Sequence, residues 1–181
     1  QMVLVGDRGM ITSARINAIK ATAPNLAWIT ALGTPAIRKL AADTGPLQLS
    51  LFDETNLAEI VSEDFPGERL VACRNPALAA ERARKRNELL DATDKILNKI
   101  VAAVDAGRLV DPAKIGQRVG REANRYKMAK HYEFTTTEGS FTYQRIGDQI
   151  AAEAALDGIY VIRTSLNTDR LDTAGVVQAY K

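Results

Sequence analysis

The feature that most restricts the fold is a long amphipathic stretch in the middle of the sequence, residues 75–106. Apolar side chains recur in it every seven positions, at Leu90, Leu97 and Val104. This spacing is typical of one face of an α-helix. Gly107 follows at the point where such a helix would end, and residues 111–125 open with Asp-Pro, a common helix start. The sequence therefore predicts two consecutive helices that form a long helical hairpin.

The beginning of the sequence has the pattern of a strand, a helix and a second strand. Residues 3–5 are a short apolar run that leads into a loop with two glycines at residues 6–9, as expected of a buried strand entering a tight loop. Thr12 or Ser13 can cap the next helix, and residues 26–32 are rich in β-branched and aromatic side chains. This order predicts a parallel βαβ unit.

Shorter elements are predicted along the rest of the chain. They are a helix that starts at Thr34-Pro35, strands at residues 47–52, 69–73 and 159–164, a hairpin around Glu138-Gly139, and helices that start at Asp148 and Asp172. The chain is thus expected to be α/β. It has no run of the ~20 apolar residues that a membrane-spanning helix needs, so no membrane partner is expected.

Charge is strongly segregated, although the formal net charge is only +2. Residues 43–68 contain seven acids and no Lys or Arg. Cations are concentrated in the predicted helical hairpin, where our candidates for phosphate contacts are Arg82, Lys85, Arg86, Arg118, Arg121 and Arg125. Such a surface suits DNA, but a solvated helix face has the same pattern. The single cysteine, Cys73, excludes an internal disulfide and fits the reducing cytoplasm, which is the expected location.

Asp7 is the candidate catalytic and metal-binding residue. It lies at the carboxyl end of a predicted strand, where ligands bind in α/β proteins. Gly9, two residues later, lets the backbone turn away and leaves the carboxylate accessible. Phosphoryl-transfer enzymes use such an acid to hold a divalent cation, because hard cations prefer oxygen ligands. Asp and Gly are also common in turns without any catalytic role, so the motif alone leaves both interpretations open.

Four segments of the sequence resemble a DDE-type transposase family of bacterial insertion sequences. They are VGDRGM (5–10), CRNPALAAERARKR (73–86), IAAEAALDGIYVIRTSL (150–166) and AYK (179–181), and they occur in the order and spacing of that family. The resemblance implies a ribonuclease-H-like fold with a large insertion before its last catalytic helix. It also implies three metal-binding carboxylates, and Asp7 matches the second of them.

The same resemblance implies that the first carboxylate precedes these 181 residues and the third follows them. Residues 1–33 are then part of the ribonuclease-H-like core. Residues 34–166 are a mixed α+β insertion that contains the helical hairpin, and residues 167–181 begin the return to the core. The full-length enzyme is expected to be a homodimer that uses Mg²⁺ to cleave and transfer DNA strands. This chain alone, with one carboxylate of three, is not expected to cut DNA.

Two other kinds of function fit the residues. One is a non-catalytic module that binds DNA or a protein partner through the basic helical hairpin. The other is a small-molecule enzyme in which Asp7 and His131 meet in one pocket. His131 is otherwise expected to be a structural or exposed residue, and no motif supports a nucleophilic pair of Cys73 and His131. Arg163 and Thr164 are expected either to touch DNA or to lie at a solvated edge.

Overall fold

The computed structural model describes residues 2–181, and in it the chain forms two compact units. Unit 1 comprises the chain up to Ala77 together with Gly158–Lys181, and unit 2 comprises Leu78–Asp157. The expected insertion, residues 34–166, starts earlier and ends later than unit 2. The difference arises because strands on both sides of unit 2 belong to one sheet.

The described residues are mixed α/β, as the sequence predicts. Their helices and strands are, in chain order, β1 (Val3–Val5), α1 (Ser13–Thr22), β2 (Ala27–Ala31), α2 (Thr34–Leu40), β3 (Leu57–Ile60), β4 (Arg69–Arg74), α3 (Pro76–Asp105), α4 (Pro112–Ala123), β5 (Tyr132–Thr137), β6 (Ser140–Arg145), α5 (Gly147–Ala154), β7 (Ile159–Thr164) and α6 (Thr173–Tyr180). Short 3₁₀ turns precede β3 and β5.

Unit 1 is built on a five-stranded sheet in the order β1-β2-β7-β4-β3. β1 and β2 are parallel, with Leu4 opposite Trp28, so the predicted βαβ unit is confirmed. The other neighbours are antiparallel. Trp28, Ile11 and Ile16 pack between the sheet and α1. The side chain of Thr12 accepts a hydrogen bond from the backbone N–H of Arg15 and caps α1, as predicted.

The prediction that β1 is buried is wrong. Val3, Leu4 and Val5 are 38%, 40% and 41% exposed. Among residues 2–181, β1 is the edge strand of the sheet and pairs with β2 alone, so it has a neighbouring strand on one side and an open edge on the other. An apolar run in a sequence indicates a strand but does not say how many strands flank it.

The acidic region is organised differently from the prediction. The strand expected at residues 47–52 is a 3₁₀ turn at Leu49–Phe52. The strand of this region is instead β3, four residues long, which the sequence analysis missed. β3 forms because its backbone pairs with β4, from Leu57 opposite Cys73 to Ile60 opposite Leu70. Four residues are too few to indicate a strand from the sequence alone.

Unit 2 combines the two long helices with the predicted β-hairpin. Side chains from α3, α4, β5 and β6 form one hydrophobic core, whose members include Leu90, Leu97, Val104, Ile115, Val119, Tyr132 and Phe141. The heptad positions of α3 are buried, as the periodicity predicts. Gly107 ends α3, and Gly139 lies in the hairpin turn; both have positive φ. Among the described residues, no helix combines the length and apolarity needed to cross a bilayer.

Two glycines within α4 are positions where we expect alanine to stabilise the chain. A Cβ atom added at Gly116 or Gly120 would meet no other atom within 4 Å. Glycine in a helix interior costs about 1 kcal/mol relative to alanine. Gly116→Ala and Gly120→Ala should therefore each raise the free energy of unfolding by about 0.5–1 kcal/mol, as measured by urea unfolding followed by far-ultraviolet circular dichroism.

Gly107 provides the matched control. Its φ of +67° lies in the left-handed region that side chains disfavour. Gly107→Ala is expected to lower the free energy of unfolding by about 1 kcal/mol. A loss of stability in both α4 variants would contradict this prediction, because it would show that the added methyl groups meet neighbouring atoms.

Candidate functional site

Asp7 lies where the sequence predicts it, directly after the carboxyl end of β1. β1 and β2 are parallel, so the chain leaves both strands at the same edge of the sheet. The side chain of Asp7 is exposed. This position lets a carboxylate meet groups that approach the edge of the sheet from outside.

The carboxylate of Asp7 is held by its own loop through one of its two oxygens. The backbone N–H groups of Gly9 and Met10 each donate a hydrogen bond of 2.8 Å to Oδ1. The other oxygen, Oδ2, has no hydrogen-bond or ion-pair partner in residues 2–181. A Cβ atom at Gly9 would lie 3.2 Å from Oδ1, so a side chain there would crowd the carboxylate. The loop thus fixes Oδ1 and leaves Oδ2 available to a ligand.

Asp7 alone does not make a metal site. Within the part of the chain that the structure describes, no three His, Cys, Asp or Glu side chains come together in a way that could hold a metal ion. A carboxylate oxygen is the ligand type that Mg²⁺ prefers, so Asp7 is a suitable metal ligand. Within the described residues, Asp7 is therefore a candidate ligand without a complete set of ligands around it.

An apolar groove of about 280 Å³ runs beside β1. Its lining includes Leu4 and Val5 of the strand, Met10 of the Asp7 loop, and Ala18 and Ile19 of α1. Met10 is 57% exposed. The Asp7 loop therefore borders an apolar surface that consists of the outer side of β1 and one side of α1.

Arg163 is buried in unit 1, which corrects both of its predicted positions. It is 7% exposed because β7 lies in the middle of the sheet, between β2 and β4. Its Nε and Nη2 atoms donate hydrogen bonds of 2.6 and 2.7 Å to the two carboxylate oxygens of Glu68. Its guanidinium carbon lies 5.4 Å from the ring centre of Trp28 and 4.9 Å from that of Phe65. Thr164 is also buried, with 0% of its surface exposed, so neither residue is available to contact DNA.

The buried pair also reaches the start of α1. The Nη1 atom of Arg163 donates a hydrogen bond of 3.2 Å to the Ser13 hydroxyl oxygen, one residue after the helix cap. The Lys20 ammonium lies 3.0 Å from Glu68. The sequence analysis missed Glu68 because it lies in the acidic region, 95 residues before Arg163. The sequence does contain one indication of this buried ion pair, because Arg163 is a charged residue within an otherwise apolar strand.

Arg86 is not a candidate for phosphate contact, contrary to the prediction. The residue is 8% exposed, and its guanidinium donates two hydrogen bonds to the two carboxylate oxygens of Asp157, one of them 3.1 Å long. Asp157 raises the pKa of Arg86 further above its ordinary value. Asp157, interpreted from the sequence as the end of a helix, is therefore half of a shielded ion pair.

The other predicted phosphate contacts are on the surface of unit 2. Arg82 and Lys85 are exposed on α3, and Arg118 and Arg121 are exposed on α4, with Arg125 just beyond its end. Arg121 and Arg125 share the carboxylate of Glu122, at 3.0 and 3.8 Å. These five residues remain accessible to a polyanion.

His131 and Cys73 are each buried within their own unit. His131 is 1% exposed in unit 2, and its Nε2 atom lies 3.5 Å from a carboxylate oxygen of Glu153. Cys73 is buried in the sheet of unit 1, and burial raises the pKa of its thiol to about 11. The thiolate that a nucleophilic cysteine needs is therefore disfavoured.

Comparison with protein-family models, with curated proteins and with solved structures found no match to this chain.

Proposed function

We propose that this chain is part of a DDE-type DNA transposase of a bacterial insertion sequence and that Asp7 is the second carboxylate of its metal site. The observation that carries the proposal is the exposed carboxylate after the edge strand β1, with Oδ1 fixed by its loop and Oδ2 available. An aspartate that only stabilises a turn makes the same two hydrogen bonds, so the feature that the proposal uses is the accessible Oδ2 at the end of the strand. The four segments that resemble the family support the same assignment.

The surroundings of Asp7 are compatible with two further carboxylates from elsewhere in the enzyme. In the part of the chain that the structure describes, no strand pairs with the outer edge of β1, whose apolar side chains are exposed, and such an edge readily accepts another strand. In the proposed ribonuclease-H-like core, the strand with the first carboxylate pairs with this edge. The same strand also covers the apolar groove beside β1.

The reaction class follows from the proposed family, and this chain contributes only part of its machinery. Mg²⁺ is the proposed cofactor, and DNA strand cleavage and strand transfer are the proposed activities. The role that we assign to the described residues is to present one carboxylate oxygen, Oδ2 of Asp7, at the edge of the sheet. Exposed cations of unit 2 are proposed to contact the DNA, and the complete enzyme is proposed to be a homodimer.

The coding DNA on either side of this segment tests the proposal. We expect it to encode an apolar strand that carries an Asp upstream of Val3, and a helix that carries a Glu within about two turns after Lys181, or roughly seven residues. Sequencing of the flanking DNA in the source genome is sufficient. A reading frame that lacks either acid would remove the basis for a three-carboxylate site.

A non-catalytic module that binds DNA or a protein is the second candidate function. The exposed cations of α4 favour it, because they are present whether or not Asp7 binds a metal. The two functions differ in their response to substitution. In a binding module, changes at Arg118, Arg121 and Arg125 abolish activity and Asp7→Ala has no effect. In a transposase, either set of changes abolishes it.

A further inference from the structure

The outer face of α4 is a compact basic surface on unit 2. Successive helical residues are rotated by about 100°, so Lys114, Arg118 and Arg121 fall within an arc of about 60°. The buried residues of the helix, Ile115, Val119 and Ala123, lie on another side of it. Over the ~10 Å of helix axis from Lys114 to Arg121, a DNA duplex carries about six phosphate charges.

Two of these cations differ from Arg121 in their ion pairing. No carboxylate lies within 4 Å of Lys114 or Arg118 in the part of the chain that the structure describes, whereas Arg121 is paired with Glu122. The sequence places Lys114 in the same basic stretch as Arg118, although it was not one of the candidates for phosphate contact. An unpaired cation on a rigid helix is available to a polyanion without first breaking an ion pair. Lys114 and Arg118 are therefore the centre of this basic surface.

We infer that this face of α4 is a docking surface for the phosphate backbone of double-stranded DNA, with Lys114 and Arg118 as its principal contacts. Charge complementarity carries the inference, and the choice of DNA as the polyanion rests on the proposed function. The contact is independent of base sequence, because point charges on phosphates position a duplex and do not read it. Arg121 and Arg125 extend the surface once their shared carboxylate is outcompeted by phosphates.

The test is the binding of the full 181-residue chain to a fluorescent 30-base-pair DNA duplex of arbitrary sequence, measured by anisotropy at several salt concentrations. Lys114→Gln/Arg118→Gln should weaken binding at least about tenfold at 0.1 M salt. It should also reduce the slope of log affinity against log salt by about two, because each lost phosphate contact removes about 0.9. Arg118→Lys should restore most of the Arg118 contribution, since it keeps the charge.

Lys95→Gln/Lys99→Gln is the charge-matched control on α3, where both lysines are exposed. It should change the affinity and the salt slope much less. Equal losses in the two double variants would overturn the inference, as would tighter binding to duplex RNA or absence of duplex binding by the unsubstituted chain at 0.05 M salt. No metal or catalysis enters the measurement, so its failure is distinct from a failure to find the flanking acids. Circular dichroism of each variant verifies the fold.

Discussion

In the full-length enzyme, Asp7→Asn is expected to abolish DNA strand cleavage while leaving the fold of this chain intact. Asparagine keeps a side-chain oxygen that can accept the hydrogen bonds from Gly9 and Met10, so the loop is preserved. It removes the negative charge that makes carboxylates ligands for Mg²⁺. Metal-mediated charge stabilisation is worth several kcal/mol, and each 1.36 kcal/mol is tenfold in rate, so the loss should be at least about a thousandfold.

The pair of variants Asp7→Asn and Asp7→Ala separates the two interpretations of the motif. If Asp7 only stabilises the turn, the asparagine variant retains activity and the alanine variant loses stability. If Asp7 is a metal ligand, both variants are inactive and the asparagine variant melts at the temperature of the unsubstituted protein. Cleavage of a labelled transposon-end duplex in the presence of Mg²⁺ and a thermal melt measure the two quantities. Full cleavage by Asp7→Asn would disprove the assignment.

Arg163→Met is expected to destabilise unit 1 by about 3–5 kcal/mol, the typical cost of leaving a buried charge without its partner. The side chain of Glu68 is 3% exposed, and without Arg163 its remaining ion pair among the described residues is with Lys20, whose side chain is 44% exposed. The contacts of the guanidinium with two aromatic rings are lost as well. Trp28 is the only tryptophan, so its fluorescence during urea unfolding reports on unit 1.

Two further variants make this prediction specific. Lys39→Met removes an exposed ion pair of the same unit, the pair with Asp64, and should cost less than about 1 kcal/mol. Arg163→Met/Glu68→Gln leaves no unpaired charge and should be less destabilised than Arg163→Met alone. If Arg163→Met cost no more than Lys39→Met, the buried pair would not be the main stabilising interaction on this side of the sheet.

Several elements could be predicted because their signals lie in adjacent residues. The seven-residue spacing of Leu90, Leu97 and Val104 predicts α3, and the structure buries all three. Thr12 and Asp172 cap α1 and α6 through their own side chains. Gly139, with φ of +64°, forms the hairpin turn. Caps, turns and helical periodicity depend on contacts within a few residues, so local sequence is sufficient for them.

The candidate site was predictable in part. The position of Asp7 after a strand follows from the local sequence, and so does the exposure of Arg118 and Arg121 on a helix. The number of neighbours of β1 does not, and the structure makes β1 an exposed edge where a buried strand was expected. β3 was missed for the same reason, because its four residues become a strand only through pairing with β4.

The amino-acid order alone determines where this chain forms its long helices, its parallel βαβ start and the loop that presents Asp7. Tertiary structure decides which charged residues face the solvent. Arg86 and Asp157 are 71 residues apart, and Arg163 and Glu68 are 95 apart, yet each pair is shielded within one unit. Periodicity does not encode such partners, because burial of a charge depends on which distant segments pack around it and supply the compensating charge.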